Sequence, residues 1–161
     1  MGVAVAFELD GELVGTVRAV PIGYGLTLVE NLRSRVHAEP GNSYVNAWEM
    51  GRLVISPEYR GGPESLRGFL YLSLAFLNRL SPVGNLHAAC TPALARLYRR
   101  FGLATVERNV PLHGTAKTYT LIHGPFARVI AALSDADEHS GWEPAMIDCQ
   151  PGTHYGPGAV A

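Results

Sequence analysis

A glutamate and an arginine stand three positions apart, shortly before a glycine-rich turn. Glu49 and Arg52 lie in the segment NAWEMGRLVISPEYRGGPES, which spans residues 46–65. Its first half is typical of a β-strand, and the glycines followed by Pro63 indicate a turn that opens a helix. Backbone N–H groups at such a turn bind anionic or polar ligands, with the helix N-terminus behind them. The segment therefore joins an acid–base pair to a ligand-binding turn.

The spacing of Glu49 and Arg52 sets a condition on their strand. In a regular strand the two side chains point to opposite faces. A β-bulge at Gly51 would bring both towards one side and would also separate this strand from a neighbour. Alternatively, the two residues are solvated separately on an exposed strand, or Arg52 pairs with Glu49 and lowers the pKa of its carboxyl. We expect the bulge.

Three further residues are candidates for chemistry. Arg18 interrupts an apolar strand face, either as a charge held in a cleft or as an arginine that reaches solvent. Tyr98 lies on the inner face of a helix, as a proton donor or as a core residue. Cys90 precedes a helix N-terminus, which lowers a thiol pKa, but a buried inert cysteine is the commoner case. His87 points away from Cys90 and forms no metal site with it.

Composition and charge limit the class of protein. The chain has 161 residues, of which 47% are hydrophobic and 17% charged, with a net charge of −1. These values are typical of one soluble globular domain, and the balanced charge gives no case for nucleic acid binding. Cys90 and Cys149 form no disulfide framework, which fits a reducing compartment. The longest apolar run, at 69–77, is too short to span a bilayer, so we expect a cytoplasmic protein.

The remaining pattern predicts the elements that position these residues. Alternation predicts a hairpin of strands at 3–9 and 13–20 around an Asp-Gly turn. The connection at 21–44, with a short helix around 28–37, is a candidate lid over the acceptor pocket. The later elements are predicted as a strand at 47–56, a helix at 63–80, a strand at 85–91, a helix from 92 to 102, strands at 104–110 and 117–123, and a helix at 126–133.

Two of these helices have informative surfaces. The helix at 63–80 is apolar nearly all round, which predicts burial against the sheet. The next helix has an apolar face and a basic face, formed respectively by Leu94, Leu97, Tyr98 and Phe101 and by Arg96, Arg99 and Arg100. Residues 1–134 are predicted to form one domain. Residues 135–161 are polar and rich in glycine and proline, which predicts a flexible tail.

The order of elements and three motifs resemble the GNAT N-acyltransferase family. The motifs are DGELVGTVRAVP, WEMGRLVISPEYRGG and CTPALARLYRRFGL. The second is most similar to the branch of acyl-homoserine-lactone synthases and N-acyl amino acid synthases, whose Glu-x-x-Arg pair and preceding arginine match Glu49, Arg52 and Arg18. The third resembles the GNAT helix with a tyrosine before a closing glycine, here Tyr98. The resemblance covers residues 3–125 and implies an α+β fold, with a mostly antiparallel mixed sheet flanked by helices.

The resemblance also implies an activity, the transfer of an acyl group from a pantetheine thioester to the amino group of a small molecule such as an amino acid. The thioester, on acyl carrier protein or CoA, is a cosubstrate, and no tightly bound cofactor or metal is implied. Glu49 would act as the base, Tyr98 as the acid for the leaving thiolate, and Arg18 and Arg52 would orient the acceptor. The implied donor-binding residues are Leu53, Val54, Ile55, Arg60, Gly61, Gly62 and Ser65.

The surroundings of Glu49 bear on its role as the base. A carboxylate accepts a proton from an amine most usefully when its pKa is raised. We expect apolar neighbours to raise the pKa of Glu49, namely Trp48, Met50 and Val54.

Two departures from the family pattern bear on the partners. Pro63 replaces a glycine of the pyrophosphate turn and Glu64 adds a carboxylate there, and both weaken binding of a CoA diphosphate. We therefore favour acyl carrier protein as the donor, docked on an arginine patch, over free CoA; the alternative for the patch is a solvated helix face. The patch comprises Arg60, Arg67, Arg96, Arg99 and Arg100. We expect the first strand and helices of the fold to be missing before Val3. The domain would then be minimal, or a partner subunit, for example in a homodimer, would supply that wall.

Two other functions fit the sequence. One is a non-catalytic GNAT-like module that binds an acyl carrier or another ligand. The other is a cysteine hydrolase or thioesterase that acts through Cys90. An aminoacyl-tRNA donor stays open as well, because the fold alone does not specify the acyl group.

Overall fold

The computed structural model describes residues 2–34 and 41–134. The strands are β1 (Val3–Leu9), β2 (Glu12–Pro21), β3 (Ala47–Ile55), β4 (Asn85–Cys90), β5 (Ala104–Pro111) and β6 (Thr118–Pro125). The helices are α1 (Leu28–Arg33), α2 (Pro63–Leu80), α3 (Pro92–Tyr98) and α4 (Phe126–Ser134), with short 3-10 turns at Gly41–Tyr44, Pro57–Tyr59 and Arg99–Phe101. The predicted tail at 135–161 and the last part of the predicted helix at 28–37 lie outside the described residues.

One mixed sheet holds all six of these strands, in the order β1-β2-β3-β4-β6-β5. Every neighbouring pair is antiparallel except β3 and β4, which are parallel. This confirms the predicted α+β fold class. The β1–β2 hairpin turns at Asp10 and Gly11, with φ of 52° and 82°, a left-handed pair that matches the twist of the flanking strands.

The two faces of the sheet are covered differently. On the face that we call the helix face, α2 and α4 pack over Trp48 and Leu86 in the main core cluster, and Ala95 of α3 packs on Ile122. On the opposite face, which we call the α1 face, Val29 packs against the strands. Because side chains alternate along a strand, β3 directs Trp48 to the helix face and Glu49 to the α1 face.

Helices α2 and α3 differ from the sequence prediction in how they are buried. The fully buried residues of α2 form one stripe at helical spacing, Leu70, Ser73, Leu74 and Leu77, and the rest of the helix is half-buried or exposed because the sheet lies on one side of it. On α3, Leu94 is 41% exposed while Ala95 is buried, since Leu94 lies at the rim of a cavity. None of the described helices is long and apolar enough to cross a bilayer.

Candidate active site

The bulge that the sequence predicts is present in β3, immediately after Gly51. Arg18 of β2 pairs with Gly51, and Thr16 pairs with Val54. One residue of β2 thus separates these two pairs, whereas two residues of β3 do, which is the extra residue of a β-bulge. The extra residue is accommodated by Arg52, which adopts a left-handed conformation with φ of 51°. A bulge of this kind disrupts the ladder and increases the local twist.

A slot opens between β3 and β4 at the same level. The two strands pair only over residues 47–49 and 85–87. Beyond that point β3 stays paired with β2 and β4 with β6, so β3 and β4 diverge. A cavity of about 320 Å³ fills the gap. The free edge of β3 therefore presents backbone N–H and C=O groups to the cavity instead of to another strand.

Apolar side chains form most of the cavity wall. They come from β3, β4 and β6 and from three helices, and include Met50, Leu53, Leu70, Leu74, Ala88, Leu94, Ile122 and Val129. Arg52, His87 and Tyr98 are among the polar residues of the lining. A narrow apolar cavity with a few polar groups is typical of a site that binds a small, largely apolar ligand.

The Glu49 carboxylate is buried under α1. The residue is 9% exposed, and its Oε2 accepts a hydrogen bond of 2.5 Å from the backbone N–H of Val29. Burial raises the pKa of Glu49, although the N–H groups of Val29 and Leu28 and the charge of Arg18 oppose the shift. The pKa therefore shifts in the direction expected for a base.

The cause of that burial differs from the sequence prediction. Trp48 belongs to the core cluster of the helix face, and Val54 is 57% exposed. Neither supplies the expected apolar surroundings of the carboxylate. The cover comes instead from α1, a segment 20 residues earlier in the chain.

Arg18 shares the face of Glu49. Arg18 and Gly51 are cross-strand partners, and such partners point to the same side of a sheet. A Cβ built on Gly51 would lie 3.9 Å from Oε1 of Glu49. The side chain of Arg18 is exposed, so it reaches solvent and also stands beside the carboxylate, which combines the two alternatives that the sequence left open.

The bulge does not bring Arg52 to the side of Glu49, so this part of the sequence prediction is wrong. The register keeps Gly51 and Val54 on the face of Glu49. Arg52 and Leu53 together lie opposite a single residue of β2. Within the described ranges, no ion pair joins Arg52 to Glu49. Arg52 is exposed and contributes to the cavity lining. The pairing alternative is therefore not found, and Arg18 is the arginine whose charge acts on the carboxylate.

Tyr98 faces the cavity from the opposite face of the sheet. Its ring makes an edge contact with Phe101, with centroids 6.3 Å apart. Burial raises the pKa of Tyr98, and the nearby Cys90 raises it further. The phenol therefore keeps its proton at neutral pH. Its hydroxyl has no hydrogen-bond partner in the part of the chain that the structure describes. A protonated hydroxyl at a cavity wall is available to donate to a ligand.

Cys90 is buried and unreactive in this setting. Its Sγ lies 3.7 Å from the carbonyl oxygen of Thr120, and burial raises the pKa of the thiol to about 11. The thiolate needed by a nucleophilic cysteine is therefore scarce at neutral pH. Among the described residues there is also no cluster of three potential metal ligands.

His87 is the site residue that the sequence did not reveal. It is 2% exposed, contributes to the cavity lining and pairs across the parallel ladder with Glu49. Its Nε2 lies 2.8 Å from the carbonyl oxygen of Ser43, and its ring lies 4.6 Å from that of His123. Burial lowers the pKa of His87 to about 4. Only the register of β3 and β4, which alternation alone does not supply, connects it to Glu49.

The glycine-rich turn is held at the end of β3. Arg60 donates from Nε to the carbonyl oxygen of Ile55 at 2.9 Å. Gly62 has φ of 95°, which glycine adopts without strain. A Cβ on Gly61 would lie 2.7 Å from Oγ of Ser65. The turn therefore depends on Gly62, whereas a side chain at position 61 would displace only the Ser65 hydroxyl. Pro63 follows as the first helical residue.

Arg67 was predicted to belong to the exposed arginine patch, but the structure places it between two helices. Its guanidinium donates to the carbonyl oxygen of Ala132 at 2.6 Å and lies 3.6 Å from the Glu64 carboxylate. The side chain thus connects α2 to α4 and is only partly exposed. Arg60, Arg96, Arg99 and Arg100 remain exposed.

A mixed sheet whose central strands diverge around a cavity, followed by a glycine-rich turn and a helix, defines the fold of the GNAT acyltransferases. No family model matches the sequence, and no curated protein matches it. Solved structures with this fold include acyl-homoserine lactone synthases. The chain is 19% identical to MesI, described as a CoA-dependent acyl-homoserine lactone synthase, with a TM-score of 0.60 over 88% of this chain and 71% of MesI.

Two further solved structures share this fold. The acyl-homoserine lactone synthase LasI is 18% identical, with a TM-score of 0.56 over 80% of this chain and 66% of LasI. A chimera of the spermidine N-acetyltransferase SpeG from Vibrio cholerae and hSSAT is 14% identical, with a TM-score of 0.55 over 80% of this chain and 69% of the chimera. The chain thus spans roughly two thirds of the length of these proteins and shares their fold.

Proposed function

We propose that this protein is an N-acyltransferase that moves an acyl group from a pantetheine thioester to the amino group of a small molecule such as an amino acid. The observation that carries the proposal is the slot between β3 and β4, which begins just beyond Glu49 and is lined by Tyr98. Glu49 is not itself a lining residue and lies on the opposite face of the sheet from Tyr98. An acyl transfer needs a base that deprotonates the amine and an acid that protonates the leaving thiolate, placed on opposite sides of the reacting carbonyl.

The donor lies in the slot, with its pantetheine arm along the free edge of β3. The amides of the arm pair with backbone groups of Leu53, Val54 and Ile55, much as an added strand would. Its phosphate binds at the turn formed by Arg60, Gly61, Gly62 and Ser65. The apolar wall of the cavity accepts the acyl chain.

The reaction forms a C–N bond and breaks a C–S bond. The amine approaches from the α1 face and attacks the thioester carbonyl, and its proton passes to Glu49 through a water, because Oε2 already accepts from Val29. Backbone N–H groups of the β3 edge stabilise the oxyanion. When the tetrahedral intermediate collapses, Tyr98 protonates the leaving thiolate, and exchange with solvent restores both side chains.

The acceptor is oriented by arginine. Arg18 is exposed on the α1 face, and Arg52 stands at the mouth of the slot. A guanidinium binds a carboxylate with two hydrogen bonds, which suits the carboxylate of an amino acid. His87 stays neutral and adds no charge to the pocket.

Acyl carrier protein remains our first choice of donor, before CoA. Pro63 removes one backbone donor from the turn, which weakens a diphosphate site more than a single phosphodiester. Glu64, in contrast, is drawn into an ion pair with Arg67 and opposes a phosphate less than its position suggests. The arginines left for the carrier are Arg60, Arg96, Arg99 and Arg100.

One observation favours a second function, a non-catalytic binding module. The hydrogen bond from Val29 gives Glu49 a structural role in holding α1 against the sheet. Glu49→Gln separates the two functions, because a glutamine oxygen still accepts from Val29 but the side chain no longer takes a proton.

The test is to incubate the protein with pools of acyl carrier protein and CoA thioesters and of amines, and to identify by mass spectrometry which thioester is discharged and onto which amine. We expect amide formation with the unaltered protein and its loss in Glu49→Gln. Thioester binding without turnover in both proteins would support the binding module instead.

A further inference from the structure

A groove lies on the opposite flank of α3 from the slot. Leu94 and Tyr98 line the slot, whereas Arg96 and Arg99 line a groove between α3 and β5. The groove has a volume of about 260 Å³, near the lower end of small-molecule sites, which run from about 300 to 1,000 Å³. The two concavities have no lining residue in common, so the groove is a separate site.

Three arginines line this groove from two sides. Arg96 lies on α3, and Arg99 opens the 3-10 turn that follows it. Arg108 comes from β5, at an irregularity in its pairing with β6. No carboxylate lines the groove, and none of the three forms an ion pair with a residue that the structure describes. Their charges repel one another, and a bound anion would relieve that repulsion.

A largely buried threonine also lines the groove. Thr120 is 3% exposed and lies two residues from Ile122, which packs on Ala95 of α3. Alternation along β6 therefore directs Thr120 towards α3 and the groove. Its hydroxyl has no hydrogen bond to any described residue. It is not among the buried polar atoms that lack a partner, so the hydroxyl is open to the groove, where a ligand can reach it.

We propose that the groove binds a phosphate-bearing small molecule through its phosphate oxygens. Guanidinium groups only donate hydrogen bonds, and the Thr120 hydroxyl and the Asn109 amide are free to donate as well. Such a set of donors, arranged on two walls and a floor, fits a tetrahedral group rich in acceptors. The proposal does not depend on the acyl-transfer reaction, but it shares Arg96 and Arg99 with the arginine patch proposed for the carrier protein.

The test uses calorimetric titration of the full chain with sodium pyrophosphate and with inorganic phosphate, at constant ionic strength set by sodium chloride. We expect saturable binding of at least one of the two, and the tighter one distinguishes a single phosphate from a diphosphate. Arg99→Gln and Arg108→Gln should each weaken it about tenfold, as expected for loss of a charge-assisted hydrogen bond. Thr120→Val, which keeps the shape but removes the hydroxyl, should weaken it several-fold.

Two control variants make the result specific. Arg100→Gln removes the same charge from the next residue, which does not line the groove, and should bind pyrophosphate normally. Arg60→Gln tests whether the anion binds at the glycine-rich turn instead. The proposal is overturned if neither anion binds, if Arg100→Gln weakens binding as much as Arg99→Gln does, or if Arg60→Gln alone abolishes binding. Circular dichroism of each variant shows that it is folded, so that loss of binding reports on the groove.

Discussion

Glu49 and His87 face each other across the last pair of the parallel ladder between β3 and β4, where the two strands part. Burial acts on both in the same sense, because it favours the neutral form of each side chain. It raises the pKa of Glu49 and lowers that of His87 to about 4. Where the two strands part, a carboxylate whose pKa is raised thus lies beside an uncharged imidazole.

The first prediction concerns the base. Glu49→Gln should lower kcat/KM for amide formation about 10²- to 10⁴-fold, the usual contribution of a general base, while the thioester Kd stays the same. Steady-state kinetics and a binding titration measure the two quantities. Glu12→Gln, an exposed residue at the start of β2, is the matched control. A Glu49→Gln enzyme within about threefold of the unaltered rate would leave catalysis to other groups.

The second prediction concerns pH. A group whose pKa is higher in the folded state than in the unfolded state stabilises the fold at low pH, and this contribution is lost as pH rises through the folded pKa. Because burial raises the pKa of Glu49, its ionised form opposes folding at neutral pH. The stability of Glu49→Gln relative to the unaltered protein should therefore increase from pH 4 to pH 7, as measured by urea unfolding. A constant difference across this range would contradict the raised pKa.

The third prediction concerns the bulge. Arg52 has φ of 51°, a conformation that costs a non-glycine residue about 1–2 kcal/mol. Arg52→Gly removes this cost. The glycine has more conformational freedom in the unfolded chain, however, and this lowers the stability by about 0.5–1 kcal/mol. We expect the free energy of unfolding to stay level or rise by up to about 1 kcal/mol, while KM for the acceptor rises.

Arg18→Gly is the control for this experiment, because Arg18 stands in the neighbouring strand without a positive φ. There glycine should cost about 1 kcal/mol. Equal losses of stability in the two variants would show that the left-handed conformation at Arg52 carries no strain.

The fourth prediction concerns the acid. Tyr98→Phe should fold normally and should slow turnover of alkyl thioesters, because the leaving thiolate is no longer protonated. The defect should shrink with an aryl thioester, whose thiolate leaves without a proton. Stopped-flow assays with both donors measure the ratio. Tyr71→Phe, half-buried on α2, is the control, and an identical defect with both donors would assign Tyr98 to packing alone.

The fifth prediction concerns Cys90. Cys90→Ala should retain amide formation, since burial raises the pKa of the thiol to about 11 and few thiolates exist at neutral pH. Modification of the unaltered Cys90 by iodoacetamide, followed by peptide mass spectrometry, should be slow until the protein unfolds. Loss of turnover in Cys90→Ala with an unchanged unfolding transition would favour the hydrolase alternative.

The sequence by itself determined the features that depend on neighbours along the chain. Alternation defines the β1–β2 hairpin, the spacing of Glu49 and Arg52 implies a bulge at Gly51, and Pro63 after two glycines marks the start of α2. Each of these follows from local backbone geometry and from the period of the side chains.

Only the tertiary structure decided which distant residues meet. The N–H that binds Glu49 comes from Val29, and the partner of Glu49 across the ladder is His87. Arg67 donates to the carbonyl oxygen of Ala132, 65 residues later in the chain. The groove between α3 and β5 likewise combines Arg99 with Arg108. These contacts depend on strand register and on how helices pack on the sheet, and neither is encoded in the spacing of residues within one element.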